Sequence, residues 1–119
     1  MPTAVVISSE MFFAMRIAAA AKTLGLPLVI LRSAAEVATK LPADCRLAMI
    51  DLGSSAAADL MAVVTGIQQA TPHAKIIAFG PHVDHELLEK ATAAGCVTMS
   101  NGEFNQRYVN LLQGLLSES

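Results

Sequence analysis

Asp51 is the one carboxylate of this chain placed for phosphoryl chemistry. It closes the apolar run Leu47-Ala48-Met49-Ile50 and precedes Leu52-Gly53-Ser54-Ser55. An acid at the carboxyl end of a buried strand stands where open α/β sheets hold their ligands. Three further segments are expected on the same sheet edge: Ser8-Ser9-Glu10, the run from Phe79 through Gly80 and His82 to His85, and Ser100-Asn101-Gly102-Glu103. A buried acid needs partners, and Ser8, Ser9 and the backbone N–H groups near Gly53 can supply them.

The other chemistries these residues suggest are weaker. His82, Asp84 and His85 all have metal-binding side chains, but neighbouring helical residues point apart, so Asp84 and His85 do not face one ion. Asp84 is read instead as a helix N-cap with two exposed imidazoles near it, and no metal site is expected. His82 is the candidate for a pH-sensitive lid over Asp51. Ser100 or Asn101 caps the last helix or, alternatively, reaches into the Asp51 pocket. No glycine-rich phosphate loop follows the first strand, because Ser8-Ser9-Glu10-Met11 puts an acid where an anionic group would sit. Neither serine lies in a Gly-x-Ser-x-Gly elbow. No cofactor and no catalysis by this chain are expected.

The elements that position these residues alternate along the chain. β-type runs occupy residues 3–7, 26–31, 46–50 (ending in Asp51), 75–79 and 97–100. A helix capped by Ser8 or Ser9, with Phe12, Met15 and Ala19 at helical spacing, stops at Leu24-Gly25. Ser33 caps a short second helix carrying Val37 and Leu41. Residues 56–70 carry Leu60, Val63, Val64 and Ile67, an i, i+3, i+4, i+7 stripe. Asp84 caps a helix running to Ala94 with Gly95 as its stop, and the last helix covers about 103–116. Five βα units with short connections imply an α/β fold: a three-layer, doubly wound, five-stranded parallel sheet in the flavodoxin-like order 2-1-3-4-5.

Composition sets the remaining bounds. With 119 residues, residues 1–119 are expected to form one domain. Hydrophobic residues make up 54% of the chain, much of the excess being alanine, which favours helices. The net charge of −2, without a Lys/Arg cluster, gives no footprint for nucleic acid. No uncharged stretch is long enough to span a membrane, and Met1-Pro2-Thr3 does not begin a signal peptide. A cytoplasmic protein is expected. Cys45 and Cys96 precede strands that flank a third, which separates them by roughly 9–10 Å, beyond the span of about 7 Å that a disulfide bridges. Both are expected as free, buried thiols.

Over nearly its whole length the chain resembles the receiver domains of bacterial response regulators. Val5-Val6-Ile7-Ser8-Ser9-Glu10 stands where receivers carry a hydrophobic run and two acids, and Leu47-Ala48-Met49-Ile50-Asp51-Leu52 resembles the segment bearing the phosphorylated aspartate. Thr71-Pro72 through Phe79 resembles the passage into the fourth strand, and Ala91-Thr92-Ala93-Ala94-Gly95-Cys96 the family's Ala-Gly-Ala turn. The resemblance implies a Mg²⁺ site and a phosphoacceptor at Asp51, yet the supporting positions depart from it. Ser8 and Ser9 replace the paired acids, Gly80 the hydroxyl residue, and Ser100 stands near the place of the lysine. Glu10, the one acid nearby, falls one position beyond the usual pair.

The expectation is therefore a stand-alone, degenerate, pseudo-receiver-like module of two-component signal transduction. It would act on an unknown signalling partner by protein–protein interaction, without the usual Mg²⁺-dependent phosphorylation. The alternatives are a working receiver that accepts phosphate at Asp51, and a small-ligand-binding flavodoxin-like domain. The last helix presents Tyr108, Leu111, Leu112, Leu115 and Leu116, a face wide enough to serve the core or a homodimer.

Overall fold

The computed structural model describes residues 2–117. Its five strands are β1 (Thr3–Ile7), β2 (Leu28–Leu31), β3 (Cys45–Asp51), β4 (Lys75–Gly80) and β5 (Val97–Ser100). All pair in parallel in the order β2-β1-β3-β4-β5, the expected doubly wound arrangement. The helices are α1 (Met11–Thr23), α2 (Ala34–Lys40), α3 (Leu60–Ala70), α4 (His85–Ala93) and α5 (Asn101–Ser117). Because side chains alternate across a strand, the apolar strands feed two cores. Val5, Ile7, Ala48 and Ile50 pack with α2, α3 and α4, whereas Ala4, Val6, Met49 and Phe79 pack with α1 and α5.

Local chemistry sets most boundaries. The Ser33 side chain accepts the Glu36 N–H at the start of α2, and Asp84 accepts that of Leu87 at the start of α4. The helix stops at Gly25 (φ 72°) and Gly95 (φ 103°) are the only positive-φ positions among the described residues. At each, the chain turns back by hydrogen bonds from Leu26 N–H to the Ala21 carbonyl and from Cys96 N–H to the Ala91 carbonyl. Both cysteines are buried and unbridged, and burial pushes each thiol up to about 11.

Two expectations need correction. The helix expected over 56–70 begins only at Leu60, after a 3-10 turn (Ser55–Ala57), because the Asp59 carboxylate caps the Ala62 N–H. The stripe Phe12, Met15 and Ala19 does not face the core. Phe12 is 92% exposed, and α1 buries Ala14, Ile17 and Ala21 instead. Ala14 and Ala21 let this face approach the sheet closely around Ile17, and Phe12 and Met15 are left outside. On α5, Leu112 and Leu115 are buried in the sheet core, with Tyr108 and Leu111 half-buried against it. Of the two uses expected for this face, the core takes its centre.

An aromatic group ties α1 and α5 to the sheet. Phe79 and Phe104 stack with centroids 3.9 Å apart, and Phe13 tilts against both at 5.2 and 5.7 Å. The Arg16 guanidinium lies over the Phe13 and Tyr108 rings and donates to the Asn105 side chain at 2.6 Å.

Candidate functional site

The parallel register brings the site together. Ile7 pairs with Ile50, so the next residues along β1 and β3, Ser8 and Asp51, stand side by side at the carboxyl end of the sheet. The fully buried Ser8 donates its hydroxyl to Asp51 Oδ2 at 2.9 Å and accepts the Glu10 N–H at 3.0 Å. The Gly53 N–H donates to Asp51 Oδ1 at 3.2 Å. Both carboxylate oxygens of Asp51 thus have protein donors.

A second layer of hydroxyls joins the loops after β1 and β3. Ser54 donates its hydroxyl to the Asp51 carbonyl at 3.1 Å, and its oxygen accepts the Ser9 N–H at 3.3 Å. Ser9 and Ser55 share a hydroxyl–hydroxyl hydrogen bond of 2.9 Å. These links hold the start of α1 against the turn after Asp51. Burial raises the Asp51 carboxyl above its ordinary value; the Ser8 and Gly53 hydrogen bonds oppose that rise, and the negative charge of Glu10 adds to it.

Above Asp51 lies an open polar hollow of about 460 Å³, lined also by Ser9, Glu10, Gly53, Ser54, Ser55, Pro81 and Asn101. Of the expected pocket residues, Ser9 and Glu10 line it, and Ser8 grips Asp51 from below. Gly80 does not line it. A Cβ there would meet Leu52 Cβ at 3.3 Å, a tight contact that Leu52 would have to ease by a few tenths of an ångström. His82 is exposed and forms no lid, and Pro81 lines the hollow in its place. Ser100 also falls outside the lining: its hydroxyl oxygen accepts the Glu103 N–H at 3.1 Å and caps α5. Asn101 lines the hollow, as the alternative reading of that loop expected, whereas Ser54, Ser55 and Pro81 were not among the expected pocket residues. The Ser-Ser pair after Gly53 was the available signal, because two hydroxyls beside a strand-end acid are ready hydrogen-bond partners for the facing loop.

A divalent cation, as the receiver resemblance implies, fits this donor set poorly. Magnesium requires hard oxygen ligands in near-octahedral geometry. Asp51 and Glu10 are the only acids lining the hollow, and the remaining side-chain oxygens there belong to serines and Asn101. No group of three or more His, Cys, Asp or Glu side chains that could hold a metal gathers among the described residues.

Comparison with solved structures agrees on the fold. A CheY-like protein (tadZ) from Pseudomonas aeruginosa PAO1 superimposes with a TM-score of 0.72 at 21% identity, covering 97% of this chain and 99% of that one. A response regulator receiver domain protein from Clostridium thermocellum gives 0.76 at 16% identity, covering 99% and 96%. The beryllofluoride-activated NtrC4 receiver domain dimer gives 0.76 at 15%, covering 99% and 98%. No protein-family model and no curated protein sequence matches the chain. The chain has the fold of CheY-like receiver domains. Among the described residues no helix is long and apolar enough to cross a membrane.

Proposed function

We propose that this chain is a receiver-like signalling module that acts by contact with a separate signalling protein, and that Asp51 serves as a structural hydrogen-bond acceptor rather than a Mg²⁺-dependent phosphoacceptor. The observation that carries this reading is the donor set of the hollow, where Asp51 and Glu10 are the only acids and the Asp51 oxygens accept from the Ser8 hydroxyl and the Gly53 N–H. Phosphoryl transfer relies on preorganised positive charge and donors around the transferred group. Gly80 brings no side chain to that place, and no lysine follows Lys90 in the sequence. On this reading the chain has no catalysis and no cofactor of its own. It works in the cytoplasm, where its two thiols stay reduced.

A second reading, a working phosphoacceptor at Asp51, is favoured by one observation: the hollow is open and Glu10 lines it beside Asp51. Beryllofluoride titration followed by amide NMR, with and without Mg²⁺, separates the two. The structural reading expects no Mg²⁺-dependent shifts around Asp51. Saturable, Mg²⁺-dependent shifts in the wild type that vanish in Asp51→Asn would overturn it and establish the second reading.

A further inference from the structure

At the other end of the sheet from Asp51 lies a hollow of about 260 Å³ between the starts of β3 and β4 and the second half of α5. Lys75 opens β4 and pairs in register with Leu47. Arg46 precedes Leu47, and strict alternation would turn it to the opposite face. The register slips here, however: Thr3 pairs with Cys45 and Ala4 with Leu47, which leaves Arg46 without a partner on β1. Such a bulge re-aims a side chain, and Arg46 lines the same hollow as Leu47 and Lys75.

These two cations differ from most others of the chain. Lys40, Lys90 and Arg107 pair with glutamates one helical turn away, and Arg16 is held by Asn105 and two aromatic rings. Arg46 and Lys75 are exposed and have no acid or hydrogen-bond acceptor among the described residues. Asn110 adds an amide to the wall, and Leu111 and Leu115 add an apolar side.

Gly114 is the second, independent feature. It lies inside α5, where glycine is the least favourable residue short of proline. Its φ is not positive, and a Cβ built there would meet nothing within 4 Å. Neither backbone conformation nor packing calls for glycine, and its missing side chain widens the hollow beside the two cations.

We infer that this hollow binds a small organic anion, its carboxylate or phosphate head on Arg46 and Lys75 and its short apolar body on Leu111 and Leu115. The guanidinium fork matches either head group, and the ammonium adds a point charge. The volume lies below the span of about 300–1,000 Å³ typical of drug-sized ligands, which suits a small ligand. The inference is independent of what Asp51 does.

Amide NMR of the full chain tests it, with pyrophosphate and glutarate as separate probes and sodium chloride at matched ionic strength as control. Saturable shifts centred on Lys75, Asn110 and Gly114 are expected with at least one probe, and the probe that acts identifies the head group. Lys75→Gln should weaken the response about tenfold. Gly114→Leu, which fills the hollow with a better helix former, should abolish it while the remaining spectrum stays folded. The inference fails if neither probe gives saturable shifts, if chloride reproduces them, if they centre instead on the exposed Lys22 and Arg32, or if either variant binds as the wild type does.

Discussion

Helices α1 and α5 lie beside one another on the same face of the sheet, and each carries an apolar stripe at helical spacing, yet the two stripes have opposite fates. On α5 the stripe enters the core, with Leu112 fully buried and Leu115 nearly so. On α1 the stripe of Phe12, Met15 and Ala19 points outward, and Ala14, Ile17 and Ala21 meet the sheet. The helices also start differently. Ser100 caps α5 through the Glu103 N–H. No side chain caps the start of α1: Glu10 stands at the N-cap, and the expected cap Ser8 donates to Asp51 and accepts the Glu10 N–H, just before the helix. The difference teaches that helical spacing identifies a helix, while the choice of buried face follows from how closely each side can approach the sheet. It also shows a serine at a strand end serving the acid on the next strand rather than its own helix.

The sharpest test of this contrast is Leu112→Ala, which should cost about 2–5 kcal/mol of folding stability, read as a lowered urea midpoint, because it opens a cavity in a packed core. A loss of only a few tenths would mean that the α5 face is surface after all. Next comes Ser8→Ala, expected to cost about 1–3 kcal/mol at neutral pH by leaving a part-buried carboxylate oxygen without its donor.

That second cost should depend on pH, and the sign follows from Asp51. Its folded carboxyl titrates above the ordinary value, so the folded state binds the proton more tightly and stability falls as pH rises through that folded value. Losing the Ser8 donor raises the carboxyl further. The deficit should therefore be full above the variant's further-raised value and shrink on acidification toward the wild-type folded value. Ser100→Ala, the matching change on α5, should cost about 0.5–2 kcal/mol without that pH dependence. Equal pH profiles for the two variants would sever Ser8 from Asp51. The smallest effect is expected for Phe12→Ser, within about 0.5 kcal/mol of wild type. A cost approaching that of Leu112→Ala would place the α1 stripe in the core.

Much of the fold was legible because its signals are local. Short apolar runs alternating with helical stripes specify βα units, and the handedness of crossovers restricts their order. Ser33, Asp84, Gly25 and Gly95 act within a few residues of themselves, and each stands where a cap or stop was expected. The site was legible only in outline. Asp51, Ser9 and Glu10 could be placed on one edge because strand ends share an edge. Pro81 displacing His82, and Ser54 and Ser55 reaching Ser9, depend on how two loops settle against each other, which no periodicity encodes. Gly80 reads from the sequence as a lost hydroxyl, and only the structure shows Leu52 Cβ 3.3 Å from where its side chain would begin.

By itself, then, the sequence determined the order of elements, the doubly wound sheet and the strand-end position of Asp51, since these rest on local pattern and chain handedness. Tertiary structure alone decided which face of α1 is buried, that Ser8 rather than Ser9 joins the Gly53 N–H on Asp51, and that a bulge brings Arg46 to the hollow beside Lys75. The physical reason is common to all three. Each depends on distances between segments far apart in the chain, where close packing and hydrogen-bond satisfaction choose among side chains that local propensity treats alike.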